Sequence, residues 1–233
     1  MNWTDIAVFI IIAGFMVIGL KNGFLYSVFR LVSYVLSVIF AIKFYPVISD
    51  ILQQTVLFTN IKAAVISGIV KGRAGDAAVF NGDSARTAII DGLKLPAFIK
   101  ESINNKIIGQ DIFGVNKIMD MIGSEIAMLV INILSVILIY VIIRCALALI
   151  KVVIKTISRL PVFKQLDKTG GIVLGAIEGI LAIYILCAVL VLFSAFPKFG
   201  PAIESIEGSK FANYFYQNNF IVSWIAPEEE LNS

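Results

Sequence analysis

The chain has 233 residues, of which 59% are hydrophobic and only 15% charged, and its mean hydropathy of +0.93 lies well outside the soluble globular range. Its net charge of +3 is small and dispersed, which gives nucleic-acid binding no support, and the absence of histidine excludes His-based triads, HExxH zinc sites and most imidazole relays.

Residues 3–20 form the first apolar stretch. No Lys or Arg precedes it, Asp5 sits near its start, and it lacks a small-residue cleavage site, so the reading is a retained helix rather than a signal peptide. Trp3 is expected at headgroup level and Asp5 beside it at the outer end of the helix. A short basic turn, Lys21-Asn22-Gly23, leads into the second stretch, 24–45, where Lys43, near Tyr45 and Pro46, is expected to anchor the outer boundary. Together with 126–150 and 172–196, these stretches approach or exceed the ~20 residues that an α-helix needs to cross the hydrocarbon. The prediction is an all-α integral membrane fold: four transmembrane helices in two hairpins, with an amphipathic-helical segment inserted between helices two and three.

The inserted segment, 51–124, carries too many apolar residues for plain disorder. Within it 51–70 is interrupted by Gln53, Gln54, Asn60, Lys62 and Ser67, which suits an interfacial or re-entrant helix better than a fifth span. Residues 72–84 read as a mobile loop. Asp83 or Ser84 is placed to cap a helix through Lys94, and Pro96 to be the first residue of another through Ile107. There Phe98, Ile99, Ile103 and Ile107 share a face opposite Lys100, Asn104 and Asn105, which suits packing within the insert and lipid contact equally well.

The second hairpin occupies 125–197. Its connection, 151–171, carries Lys151, Lys155, Arg159, Lys164 and Lys168 against the single acid Asp167, and short basic loops stay in the cytoplasm. The turn at Lys21 agrees, so both termini and the insert are expected outside. Lys151, Lys155 and Arg159 recur every four residues; if the third helix continues past the bilayer they form one basic stripe, held to anionic lipid. After Leu166-Asp167-Lys168 come Gly171, Gly175 and Gly179 on one helical face, where a neighbouring backbone can approach closely. Residues 198–233 read as an acidic amphipathic tail. Cys145 and Cys187 lie at depths of roughly 9 Å and 24 Å from the connection, too far apart for a disulfide.

Three ionisable residues fall inside the predicted spans at a common depth. Arg30 is seven residues past Gly23, Arg144 seven before Lys151, and Glu178 seven past Gly171, each roughly 10 Å from the basic turns. Intramembrane charge costs about 2.5–3.5 kcal/mol at a helix centre, so Glu178 is expected to pair with Arg144, Arg30 or both. A structural clamp with snorkelling arginines is favoured over an ion path, because no series of acids and bases extends to the far side.

Trp3-Thr4-Asp5, the turn Gly19-Leu20-Lys21-Asn22-Gly23-Phe24, and Leu166-Asp167-Lys168 followed by Gly171, Gly175 and Gly179 together resemble the colicin V production protein (CvpA) family of bacterial inner-membrane proteins. The resemblance covers roughly 1–50 and 126–196. It implies four transmembrane helices, the cell membrane, and a role in toxin production or export and envelope homeostasis, without an established catalytic site. The chain departs from the family at Asn22, where an Arg is usual, at Tyr26 and Ser27, where an Arg-Glu pair is usual, and at Glu178, where members commonly carry a basic residue.

The functional expectation is a non-enzymatic membrane accessory or scaffold protein without cofactor or metal. Its expected partners are the bilayer, anionic phospholipids at the cytoplasmic face, and a second copy of the chain or an export or envelope protein. The alternative is an oligomeric channel or small-solute transporter using Arg30, Arg144 and Glu178. The packing residues named for either are Gly19, Gly23, Gly171, Gly175 and Gly179.

Overall fold

A computed structural model describes residues 2–73, 83–107, 115–157, 166–194 and 196–225. These residues are helical with no strand among them: α1 (Trp3–Asn22), α2 (Phe24–Gln53), α3 (Val56–Arg73), α4 (Asp83–Asp91), α5 (Ala97–Ile107), α6 (Val115–Ile157), α7 (Leu166–Ser194), a 3-10 turn (Pro197–Phe199), α8 (Gly200–Glu207), α9 (Phe211–Gln217) and α10 (Phe220–Ile225). Segments of α1, α2, α6 and α7 are long and apolar enough to span a bilayer, so this is an all-α multi-pass membrane protein. Ile10, Val32, Val141 and Leu149 lie exposed on the outer surface of these helices, where only lipid makes such exposure favourable.

The turn between α1 and α2 is a single residue. Gly23 adopts φ 84°, a left-handed conformation that costs glycine nothing, and its N–H closes α1 on the Gly19 carbonyl at 2.9 Å. The chain then runs on through Pro46 to Gln53, beyond the expected end at Tyr45. Proline removes only the bond to the carbonyl of Ile42, and a membrane helix tolerates that loss when packing holds its other groups. Ser49, one turn past the proline, supplies such a hold: its hydroxyl donates to Asn132 Oδ1 on α6 at 2.5 Å and accepts from Gln53 at 2.9 Å.

Consecutive helices make hairpins in sequence, but the main packing crosses between them. α1 lies along α7, and α2 lies along α6 and α7. α6 has 43 residues, about 65 Å of helix against a hydrocarbon core of ~30 Å, so it overhangs the bilayer. Its start at Val115 precedes the expected one because Ile118, Ile122 and Ile126 repeat every four residues and are all buried.

That overhang is the spine of a cap. Ile99, Ile103 and Ile107 of α5 and Ile89 and Ile90 of α4 share a core with Ile118 and Ile122, so the apolar face of α5 is packed against protein and not lipid. Pro96 stands just before α5 and acts as its N-terminal acceptor, its carbonyl receiving the N–H groups of Ile99 at 3.0 Å and Lys100 at 3.2 Å. It is therefore not the first helical residue. α3 packs on α6 through Ile66 against Gly123 and through the Lys62–Asp120 ion pair at 2.8 Å.

The tail closes the cap. Ile203, Ile206, Ala212, Tyr216, Ile221, Val222 and Ile225 are buried in the same core, so 200–225 is an integral layer of the fold. It reads as amphipathic because its short helices cover the bundle end with one face only. Tyr216 donates to the Lys94 carbonyl at 3.0 Å, Gln217 accepts from the Ala97 N–H at 2.9 Å, and Lys94 pairs with Glu204. Burial pushes the Tyr216 phenol well above its ordinary range. Of the loop expected at 72–84, residues 72–73 continue α3 and 83–84 open α4, while 74–82, the side chains of Asp83 and Ser84 and the acidic run Glu228–Glu230 lie outside the described residues.

Candidate intramembrane charged site

The site begins with the α1–α7 crossing, which fixes the depth of everything beside it. A Cβ on Gly19 would strike the Gly171 carbonyl oxygen and one on Gly171 the Gly19 carbonyl oxygen; one on Gly175 would strike the Phe15 carbonyl oxygen. A Cβ on Gly179 would stand 2.9 Å from Ile12 Cα. Four glycines therefore let two antiparallel backbones touch directly over two turns, the close approach that small residues permit where lipid is the solvent. Gly23, the turn residue, borders the end of this seam, its carbonyl carbon 3.3 Å from where a Cβ on Gly171 would stand.

Glu178 is the neighbour of Gly179 on α7, turned toward α2. Its side chain is 0% exposed and forms an ion pair with Arg30, whose own side chain is 13% exposed. Two of the three charges at common depth are thus brought together. Arg144 takes a different partner: its guanidinium lies over the Tyr34 ring, 3.9 Å from the centroid, a contact strengthened by removal from water. Tyr34 in turn stands 6.5 Å from Tyr140 and 6.3 Å from Phe15, so an aromatic wall links α1, α2 and α6. Arg30 also faces Phe15 and Tyr26, at 5.8 Å and 6.0 Å.

Polar groups remain unsatisfied around this pair. Arg30 Nε, Glu178 Oε1 and Ser27 Oγ are enclosed with no hydrogen-bond partner. Ser27 is one turn before Arg30 on the same face of α2. Beside them a cleft of about 240 Å³ opens between α2 and α6, with both Arg30 and Arg144 in its lining.

The remaining sequence candidates lie toward the turn end of the bundle. Lys151 and Lys155 fall on the continuation of α6, one helical turn apart, while their side chains and the whole of Arg159 lie outside the described residues. Asp167 and Lys168 open the first turn of α7, and Lys168 is exposed. Cys145 is exposed and Cys187 buried, and both are free thiols. No group of ligating side chains able to hold a metal is found among the described residues.

Sequence reasoning missed the role of Asp5. It is fully buried, and instead of marking a bare helix end its carboxylate accepts from Phe211 N at 2.8 Å, Ser209 Oγ at 3.0 Å and Lys210 N at 3.3 Å, capping α9. No local signal ties Asp5 to Phe211; only the tertiary fold brings them together. Tyr34 and Tyr140 were equally silent, although aromatic residues placed four before Arg144 and four after Arg30 are the visible trace of the wall.

The family model described as Colicin V production protein matches residues 4–72 and 112–219. The match takes in α1 to α3 and α6 to α9 and passes over 73–111, the part that holds α4 and α5. No curated protein and no solved structure matches the chain.

Proposed function

Since the chain belongs to the colicin V production protein family, we propose that it is a non-enzymatic accessory protein of the bacterial cytoplasmic membrane, supporting production or export of a colicin V-like toxin and envelope homeostasis. In this reading it works as a rigid platform against which an export or envelope protein, or a second copy of the chain, assembles. The observation that supports it is the closure of the fold upon itself. The glycine seam locks the first spanning helix to the last, and the insert and tail interlock through Tyr216 and Gln217 into a cap. The basic connections Lys21–Gly23 and 151–168 support an orientation with that cap outside and the connections in the cytoplasm.

Toxin secretion from cells lacking the protein, complemented with wild type or with Gly175→Leu, is the test. Restoration by wild type, loss with the seam variant, and co-purification of a membrane partner with wild type alone are expected. Full secretion from cells lacking the protein would reject the role.

The channel reading draws its support from the cleft that Arg30 and Arg144 line beside Glu178. Purified protein reconstituted in liposomes distinguishes it: proton or ion flux that disappears in Glu178→Gln would replace the accessory reading with a conducting one.

A further inference from the structure

The cleft between α2 and α6 has the composition of an anion site rather than of a packing fault. Its polar lining comes from Arg30 and Arg144, and its walls from Tyr26, Phe29, Ser33 and Leu147. Ser33 is already committed, donating to the Phe29 carbonyl at 2.7 Å, so the two guanidinium groups supply the recognition chemistry. Stacking on Tyr34 occupies the face of the Arg144 guanidinium and leaves the N–H donors in its plane. Arg30 has an enclosed Nε with no acceptor.

Charge narrows the ligand further. Arg30 is neutralised by Glu178, and among the described residues no carboxylate pairs with Arg144. The site therefore carries one net positive charge in a low-dielectric setting, which matches a monoanion and leaves a dianion uncompensated. A planar fork of donors suits a phosphate oxygen pair.

Position narrows it again. Phe29 and Ala148 at the cleft and the adjacent Cys145 are exposed on the lateral surface of the spanning helices, so the cleft opens toward lipid and not only toward the bundle end. Arg30 lies about 10 Å from the Gly23 turn, a depth that a long basic side chain and a locally drawn-in headgroup bridge between them. We infer that the α2–α6 cleft binds the phosphodiester of an anionic phospholipid between Arg30 and Arg144, with the acyl chains lying along Phe29 and Leu147. Glu178 is the positioning residue: it holds Arg30 at the cleft and trims the site charge to +1.

Native mass spectrometry of the full chain in detergent, titrated separately with phosphatidylglycerol, phosphatidylcholine and inorganic phosphate, tests this. Wild type is expected to retain one phosphatidylglycerol in preference to phosphatidylcholine. Arg144→Gln should weaken that retention about tenfold, and Lys21→Gln/Lys168→Gln, which removes exposed charge at the same end, should leave it unchanged. Leu147→Trp fills the cleft with both arginines in place and should produce the same loss, which covers the case of a poorly folded Arg144 variant. Phosphatidylglycerol retention at the wild-type level in both Arg144→Gln and Leu147→Trp would overturn the site. Equal retention of phosphatidylcholine would overturn the charge matching. An Arg144-dependent adduct of inorganic phosphate without any lipid adduct would overturn the lipid assignment.

Discussion

Asp5 of α1 accepts a 2.8 Å hydrogen bond from the backbone N–H of Phe211, 206 residues further along the chain. The same carboxylate also receives Ser209 Oγ and Lys210 N, so one side chain at the head of the first spanning helix terminates the loop that precedes α9. Asn2 and Thr4 add hydrogen bonds to the Ser205 carbonyl, making the first turn of α1 a clasp for the tail.

Asp5→Ala should release that clasp while leaving the spanning helices inserted. Limited proteolysis between 208 and 213 should accelerate by an order of magnitude or so, and thermal unfolding should begin several degrees earlier. Asp5→Asn, which keeps one acceptor oxygen, is expected to fall between Ala and wild type. Identical cleavage rates for all three proteins would show that the tail is held without Asp5.

The glycine seam predicts a graded response. Gly175→Leu places atoms where the Phe15 carbonyl already stands, and because backbone cannot move aside like a flexible side chain, a loss of about 3 kcal/mol or more is expected in detergent or bicelles. Gly179→Leu should behave similarly. Gly14→Leu is the matched control: nothing lies within 4 Å of the added Cβ, so its stability should stay close to wild type. Equal stability of the Gly14 and Gly175 variants would reject close packing of α1 on α7.

At the ion pair, Glu178→Gln should cost less than the about 3–5 kcal/mol lost when one partner of a buried soluble pair is removed. The stranded Arg30 borders the cleft and is 13% exposed, which gives its charge a route to water or lipid phosphate. A loss at or above that range in a thermal unfolding series would mean the arginine has no such outlet.

Tyr216 reports on the joint between insert and tail. Tyr216→Phe removes the hydrogen bond to Lys94 and should cost about 0.5–1.5 kcal/mol, whereas Tyr216→Ala empties a fully buried site and should cost about 3–5 kcal/mol. Burial holds the phenol neutral in the fold, so its stabilisation is complete below the ordinary tyrosine value of ~10 and is lost as pH rises beyond it. Alkaline titration should show a steeper loss of stability in wild type than in Tyr216→Phe.

Orientation is checked with cysteine labelling in intact cells, in a Cys145→Ser/Cys187→Ser background. An impermeant reagent is expected to modify Asn232→Cys and to spare Lys164→Cys. The reverse pattern would invert the protein in the membrane.

The spanning helices were legible because lipid demands long apolar runs, and Gly171, Gly175 and Gly179 were legible because a four-residue period puts them on one face whatever the partner. Which helix meets that face was not: the first and third spanning helices, α1 and α6, both offered long apolar surfaces, and the choice of α1 rests on Gly19 meeting Gly171 across the chain. Glu178 was traceable to a cationic partner by depth, yet depth alone did not separate Arg30 from Arg144; Tyr34, four residues beyond Arg30 on α2, claims Arg144 instead. The cap was the least visible part. The α5 isoleucines announced an apolar face, but its counterpart lies partly in α6 and partly in residues 203–225, contacts that only the closed fold creates.

The α1–α7 seam also sets an order on how the protein is made. α1 leaves the ribosome first, yet the backbone it is shaped to touch belongs to α7, and the amides that cover Asp5 come later still. Through most of synthesis the first helix holds its place in the bilayer by hydrophobicity alone, with a bare glycine notch and an uncovered carboxylate. A chain that stops before residue 209 never acquires that cover, so ribosome stalling ahead of that codon, once α7 is made, leaves a membrane-inserted but unlatched product, the state that quality-control proteases recognise by its local looseness.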